Sequence, residues 1–220
     1  TPLLMAAMHG HLAVVELLIS KGAAVNHSNH MHRNAMQLAC QGRHIAVVEC
    51  LVSNGGNPDD KFALFTACES GHRHIVELLL SRGARVDVKD ERGDTPVQIA
   101  ARFGHASVVE LLLTKGASVH DRDSDGNSLI LLSAKQIPQE GDWRGMPDND
   151  YLSLVELLVS KGANIHDRDA RGNTPILLAV VNCKSGDIFD GFYCFSNDHL
   201  EVVERLISKG ADVNDTNKFG

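Results

Sequence analysis

Val14-Val15-Glu16-Leu17-Leu18-Ile19-Ser20-Lys21-Gly22-Ala23 decides the architecture, because close copies of this stretch recur down the 220-residue chain. The glycine of each copy falls at Gly22, Gly55, Gly83, Gly116, Gly162 and Gly210, at intervals of 33, 28, 33, 46 and 48 residues. Self-similarity at such a period marks a stack of small like units and not one globular core. Stacked units make long surfaces, and long surfaces suit the binding of other macromolecules.

The unit is clearest between residues 95 and 126. Thr95-Pro96 reads as a helix start, with a hydroxyl able to cap free N–H groups and a proline suited to the first turn. A short helix follows through Ile99, Ala100 and Ala101, whose small side chains allow a second helix to approach. Gly104-His105 breaks the run. A second helix carries Val108, Val109, Leu111, Leu112 and Leu113, with Glu110 toward water. Lys115-Gly116 ends it, placing a cation at the negative helix end and a residue free to take positive φ. Asp123-Ser124-Asp125-Gly126 makes a turn. The unit is therefore helix, turn, helix and protruding turn.

These residues carry a family resemblance. The chain resembles ankyrin-repeat proteins over essentially its whole length. Thr1-Pro2-Leu3, Thr95-Pro96-Val97 and Thr174-Pro175-Ile176 match the first-helix start. Gly10-His11, Gly71-His72 and Gly104-His105 match the inter-helix turn. The copies from Val14, Val47, Ile75, Val108, Leu154 and Val202 match the second helix. The expected fold is all-α, an ankyrin-type α-solenoid of stacked helix-turn-helix repeats with protruding β-hairpin loops. We expect a single repeat domain over 1–220, divided as 1–33, 34–61, 62–94, 95–127, 128–173 and 174–216, with 217–220 opening another repeat. The chain reads as a piece of a longer protein.

Departures from the family pattern carry expectations of their own. The family usually places His fourth after the start of its Thr-Pro-Leu, where this chain has Leu4, Gln98 and Leu177, so apolar contact is expected to replace a polar tie. Gly55-Gly56-Asn57-Pro58-Asp59-Asp60 is too short for a hairpin, so Ser53 to Lys61 should cross directly between repeats and form the weakest link of the stack. Leu206 and Ile207, on the last helix, are expected to be more exposed than Leu112 and Leu113. Repeats five and six carry extra residues between their helices, at about Ile137 to Asp150 and Lys184 to Asp198.

Composition narrows the partners. Net charge is −7, and no Lys/Arg run occurs. Nucleic acid and anionic membranes both want clustered positive charge, so neither is expected as a partner. No 18-residue apolar run occurs, and no signal peptide or membrane anchor is expected. Five cysteines at irregular spacing read as reduced thiols, and the expected localisation is intracellular and cytoplasmic. The triplets Asn26-His27-Ser28 and Asn214-Asp215-Thr216 have the form of glycosylation sites and occur readily by chance.

Chemistry-bearing groups resolve mostly into repeat positions. His11, His44, His72, His105 and His199 share one place at the second-helix start, which reads as a turn role. His27, His30 and His32 cluster at the first hairpin tip without a cysteine nearby, and Cys183, Cys194 and His199 lack a second ligand pair. Neither group makes a regular zinc pattern, so no metal or cofactor is expected. No phosphate loop, nucleophile elbow or His-Glu-x-x-His motif occurs, and the chain is read as no enzyme. Asp121-Arg122-Asp123 and Asp167-Arg168-Asp169 are near-copies, open to two readings: cross-hairpin ion pairs, or a charged row facing a partner.

The resemblance implies binding of a protein or peptide segment through hairpin tips and first-helix ends, by a monomeric domain without a small-molecule substrate. The alternative role is a targeting or structural repeat domain of a larger enzyme or channel. Carried over position by position, the binding residues are Met8, His9, Met31, Arg33, Glu69, Arg92, Arg102, Phe103, Asp125 and Arg171. Met8 and Phe103 stand out as apolar anchors. The resemblance also suggests asparaginyl hydroxylation at Asn26 and Asn214. Six of the ten aromatic residues, Trp143, Tyr151, Phe189, Phe192, Tyr193 and Phe195, lie in or beside the two insertions. We expect those loops to pack together, Trp143 against Phe192–Phe195, and to offer a second contact site through Trp143, Phe192, Tyr193 and Phe195.

Overall fold

The computed structural model describes residues 1–135, 151–182 and 197–220. Among them the chain forms α-helices and two isolated antiparallel bridges, Ser28 with Asn34 and Arg122 with Ser128. The protruding turns are thus fingers, and two of them are closed by a single bridge at the base. Two compact units arise, Thr1–Glu91 and Arg92–Gly220.

In the first unit, α1 (Pro2–Met8), α3 (Ala35–Gln41) and α5 (Lys61–Glu69) pack side by side as one layer. Helices α2 (Leu12–Ser20), α4 (Ile45–Ser53) and α6 (Arg73–Ser81) form the other. Ala7, Ala39 and Ala67 are fully buried along the first layer, and Val15, Val48 and Val76 along the second. Small side chains at the first-layer crossings let the backbones come close, and the valines fill the second layer. In the second unit, α7 (Pro96–Arg102), α9 (Leu129–Lys135) and α11 (Pro175–Asn182) form the first layer, with α8 (Ala106–Thr114), α10 (Tyr151–Ser160) and α12 (Asn197–Ser208) behind it.

Each second helix stops the same way. After Ser20-Lys21, Gly22 takes φ +88° and the Ala23 amide donates back to Leu18 O at 3.0 Å. The same closure joins Ala84 to Leu79, Ala117 to Leu112, Ala163 to Leu158 and Ala211 to Leu206. It satisfies a helix-end carbonyl and turns the chain into the finger.

The inter-helix turn is set by one ring in each of two repeats. His44 Nε2 lies 3.1 Å from Met8 O of the preceding repeat. A Cβ on Gly10 would fall 2.3 Å from that ring, and one on Gly42 2.4 Å, so neither position admits a side chain. Tyr151 occupies the matching place in repeat five. It is 5% exposed, its hydroxyl lies 3.5 Å from Arg102 O, and a Cβ on Gly104 would meet its ring at 2.6 Å. Burial pushes its phenol up to about 12. Tyr151 therefore works as the turn residue of its repeat and is not part of an exposed aromatic cluster.

The polar tie expected to be missing is present at Gln98. Its side-chain oxygen accepts from the Thr95 amide at 2.7 Å, and the side chain is buried. A long amide reaches back to the helix start where a leucine would not. Gln37 does the same for Asn34, at 3.2 Å, while Asn34 Oδ1 accepts from the Gln37 amide at 3.0 Å, a full capping box. At Leu4, apolar burial takes over.

Residues 54–60 cross between α4 and α5 without a bridge, as the short interval requires. The crossing is nevertheless tied down. Asp60 caps α5 through the Phe62 amide at 3.0 Å and accepts from Asn34 Nδ2 and Gln37 Nε2. Asn26 reaches across from the preceding finger, donating to Gly55 O at 2.9 Å and accepting from the Asn57 amide at 3.3 Å. Leu206 departs from expectation: it is as fully buried as Leu112, because α12 packs on α10 and α11, while Ile207 is 44% exposed.

Candidate protein-binding surface

Three first-helix ends each hold their own finger by a side-chain tie to a residue eight positions earlier. Arg33 Nη2 donates to Gln41 Oε1 in the first unit. In the second, Arg102 Nη1 lies 2.7 Å from Asp94 Oδ2, and Lys135 Nζ donates to Asn127 Oδ1 at 2.6 Å. The residue types differ and the geometry repeats: the last turn of the first helix holds the base of its own finger. Val181 occupies the same place on α11 and is 64% exposed, so this tie is absent from the last repeat.

Carboxylates organise the second unit further. Asp123 accepts from the Asn127 amide at 2.8 Å and from Asn127 Nδ2, and it pairs with Arg102 at 3.7 Å. Asp169 accepts from the Asn173 and Arg171 amides, each at 2.9 Å, and pairs with Lys135 at 3.5 Å. Burial raises the Asp169 carboxyl, but the Asn173 and Arg171 hydrogen bonds and the Lys135 charge outweigh it and hold it below the usual carboxylate range. Outer edges are tied from finger to finger. Arg122 pairs with Asp167 at 2.9 Å and donates to Gly126 O. Arg168 pairs with Asp215 and donates to Gly172 O and Thr216 O. Of the two readings of the near-copies, cross-finger ion pairs describe both arginines.

The candidate contact residues divide between anchored and open. Met31 is 65% exposed and Met8 39%. His9, Glu69, Arg92, Asp125 and Arg171 are also exposed. Arg33 is half-buried against Gln41. Arg102 sits between two carboxylates with a 22% exposed side chain. Phe103 is half-buried, its ring stacked 6.5 Å from that of His105, and is thus less open than an anchor at an exposed place would be. Asn26 has both ends of its side-chain amide engaged at the crossing. Trp143, Phe192, Tyr193 and Phe195 lie outside the described residues, as do Cys183 and Cys194. Sequence reasoning missed Gln37, Gln41, Asp60 and Lys135 as ties. The eight-residue spacing between finger and helix end was the signal for Gln41 and Lys135; Gln37 sits three residues after the cap it closes, and Asp60 bonds Asn34 across 26 residues of sequence, where no local pattern points to it.

Among the described residues no group of three His, Cys, Asp or Glu is placed to hold a metal ion. Buried Cys40 has its thiol pushed up to about 12 by burial and the Asp60 charge, and burial also raises Cys68. Both are packing residues on α3 and α5. No helix among the described residues is long and apolar enough to cross a membrane.

Stacked helix pairs with tethered fingers define a class of repeat protein. Ankyrin repeats, as a family of three copies, match residues 1–62 and 54–123, and a single ankyrin repeat matches 171–218. The chain belongs to the ankyrin-repeat family. It is 42% identical over 59 residues to the Caenorhabditis elegans ankyrin repeat and KH domain-containing protein mask-1, covering 26% of this chain and 2% of that one. The chain thus spans a very small part of that curated relative. The fold is similar to the human ASB11 ankyrin repeat domain, with a TM-score of 0.77 and 24% identity, covering all of this chain and 88% of the other. Ankyrin repeats are in general protein-interaction modules and non-catalytic scaffolds.

Proposed function

We propose that this chain binds a partner protein or peptide segment on its finger tips and first-helix ends, as a passive, non-catalytic recognition module. The observation that carries this is the set of eight-residue ties. Arg33 to Gln41, Asp94 to Arg102 and Asn127 to Lys135 fix the finger bases in advance of binding, while Met31, Arg92, Asp125 and Arg171 stay exposed at the tips. A preformed surface loses little conformational entropy when a partner docks. The aromatic insertions are a second contact region in this reading, carried by the sequence residues Trp143, Phe192, Tyr193 and Phe195. A role positioning other parts of a larger protein draws support from the mask-1 likeness, since the matched repeats are a short share of that protein.

A photo-crosslinking amino acid placed at Met31, at Arg171 or at Glu77 on α6 tests the surface. Crosslinks to polypeptide at the two tip positions and none at Glu77 are expected. Crosslinks at Glu77 alone, or none at either tip, would sink the proposal.

A further inference from the structure

Charge is distributed unevenly among the fingers. From Leu17 to Val48 the chain has no Asp or Glu, yet it holds Lys21, Arg33, Arg43 and four histidines, within a protein of net charge −7. The fingers of the second unit are the opposite, with Asp121, Asp123 and Asp125 in one and Asp167 and Asp169 in another. The acid-free stretch includes the first finger and all of α3.

Two hydrogen bonds tie the first finger to the end of α3 and the inter-helix turn that follows to the end of α1. Arg33 reaches from the finger to Gln41, the last residue of α3. Two residues on, His44 reaches Met8 O at the end of α1. Arg43 lies between these ties and is exposed. Met31 is presented at the tip, where Asn29 Oδ1 accepts from the Met31 and Arg33 amides. The first finger and the ends of α1 and α3 thus carry two exposed methionines, Met8 and Met31, together with the exposed Arg43 and the half-buried Arg33. Asp60, a carboxylate one repeat on, is occupied by Asn34, Gln37 and the Phe62 amide.

We propose that this surface takes an acidic peptide segment of a partner protein, with carboxylates on Arg33 and Arg43 and apolar side chains on Met8 and Met31. Charge complementarity selects the carboxylates, and guanidinium groups pair with them in a planar, two-bond geometry. Methionine adapts its shape to the apolar side chains that flank them. The inference rests on the protein-binding reading above and gives that surface its partner chemistry.

Fluorescein-labelled 12-residue peptides of serine and glutamate with two leucines, titrated into the 220-residue chain by anisotropy, test it. Companion peptides carry Gln for Glu, or Ser for Leu, and a thymidine 12-mer serves as a plain polyanion. The glutamate-leucine peptide is expected to bind about tenfold tighter than either companion, and binding should weaken on raising salt. The Arg33→Glu, Arg43→Glu double variant should weaken it about tenfold or more. Met31→Ser, at a tip where the side chain is exposed, should weaken it severalfold with an unchanged urea midpoint. Equal binding of the glutamine peptide, equal binding of the thymidine 12-mer, unchanged affinity in the variants, or no binding of any peptide would overturn the proposal. Crosslinks at Met31 that persist in the double-arginine variant would leave the protein-binding reading standing while removing the acidic partner. Loss of crosslinks in the unsubstituted chain would remove both.

Discussion

Arg102 lies between two carboxylates that are almost wholly out of water, Asp94 and Asp123. Removing it would take from both buried carboxylates the cation they share, which costs more than the pairs contribute. Arg102→Ala should destabilise the second unit by about 2–4 kcal/mol, less than a fully buried pair because the guanidinium keeps some water. Urea unfolding measures this, and a loss no larger than that of an exposed arginine such as Arg92→Ala would contradict the assignment. Asp169 gives a pH-dependent counterpart. Its carboxyl is held below the usual range in the folded chain, so its contribution is present above the ordinary value near 4 and is lost as pH falls through the folded value. The urea midpoint should drop on acidification below about pH 4, and Asp169→Asn should flatten that drop. An equal acid slope in the variant would assign it to other carboxylates. Sequence made the turn histidines legible at this scale, because one residue type recurs at one position. It hid Tyr151 in the same role, since the ring that fills the pocket need not be imidazole, only planar and able to reach a carbonyl.

At the scale of the element, helix starts and stops were readable from Thr-Pro pairs and Lys-Gly ends, because a first-turn proline and a positive φ need particular residue types close in sequence, although the Thr1 hydroxyl makes no capping bond to its helix. The crossing at 54–60 shows where that reading ran out. Its shortness was plain from the 28-residue interval, but its anchors come from Asn26 and Asn34, each more than 20 residues away. Asp60 joins Asn34 and Gln37 to the start of α5, where it caps the Phe62 amide. Asp60→Ala should cost about 1–2 kcal/mol, the scale of a lost cap plus side-chain bonds. Amide exchange at Phe62 and Leu64 should quicken with it. Exchange that stays as slow as in α7 would mean that packing of α3 on α5 holds the crossing unaided. In the unsubstituted chain, the expectation of a weakest link stands or falls on whether these amides exchange faster than those of α7 and α8.

Across the whole molecule, the stack was legible because a period is a global property printed locally many times. The finger ties were less so, since Arg-Gln, Asp-Arg and Asn-Lys share a geometry and no residue type. The second unit adds a direction to this order. Val181 withholds the tie that its finger would receive, and Asn173 is held by Asn217 Nδ2 at 2.8 Å instead. Lys218 adds bonds to Ala170 O and Arg171 O, and Arg168 leans on Asp215 and Thr216. Deleting 217–220 should therefore raise proteolytic nicking at 168–173 before any change at 121–127, and simultaneous nicking of both fingers would argue against it. A row in which each member is fastened by its successor behaves like a seam sewn from one end. Each stitch holds only as long as the next one does, and Asn217 and Lys218 make the one that closes on residues 170–173.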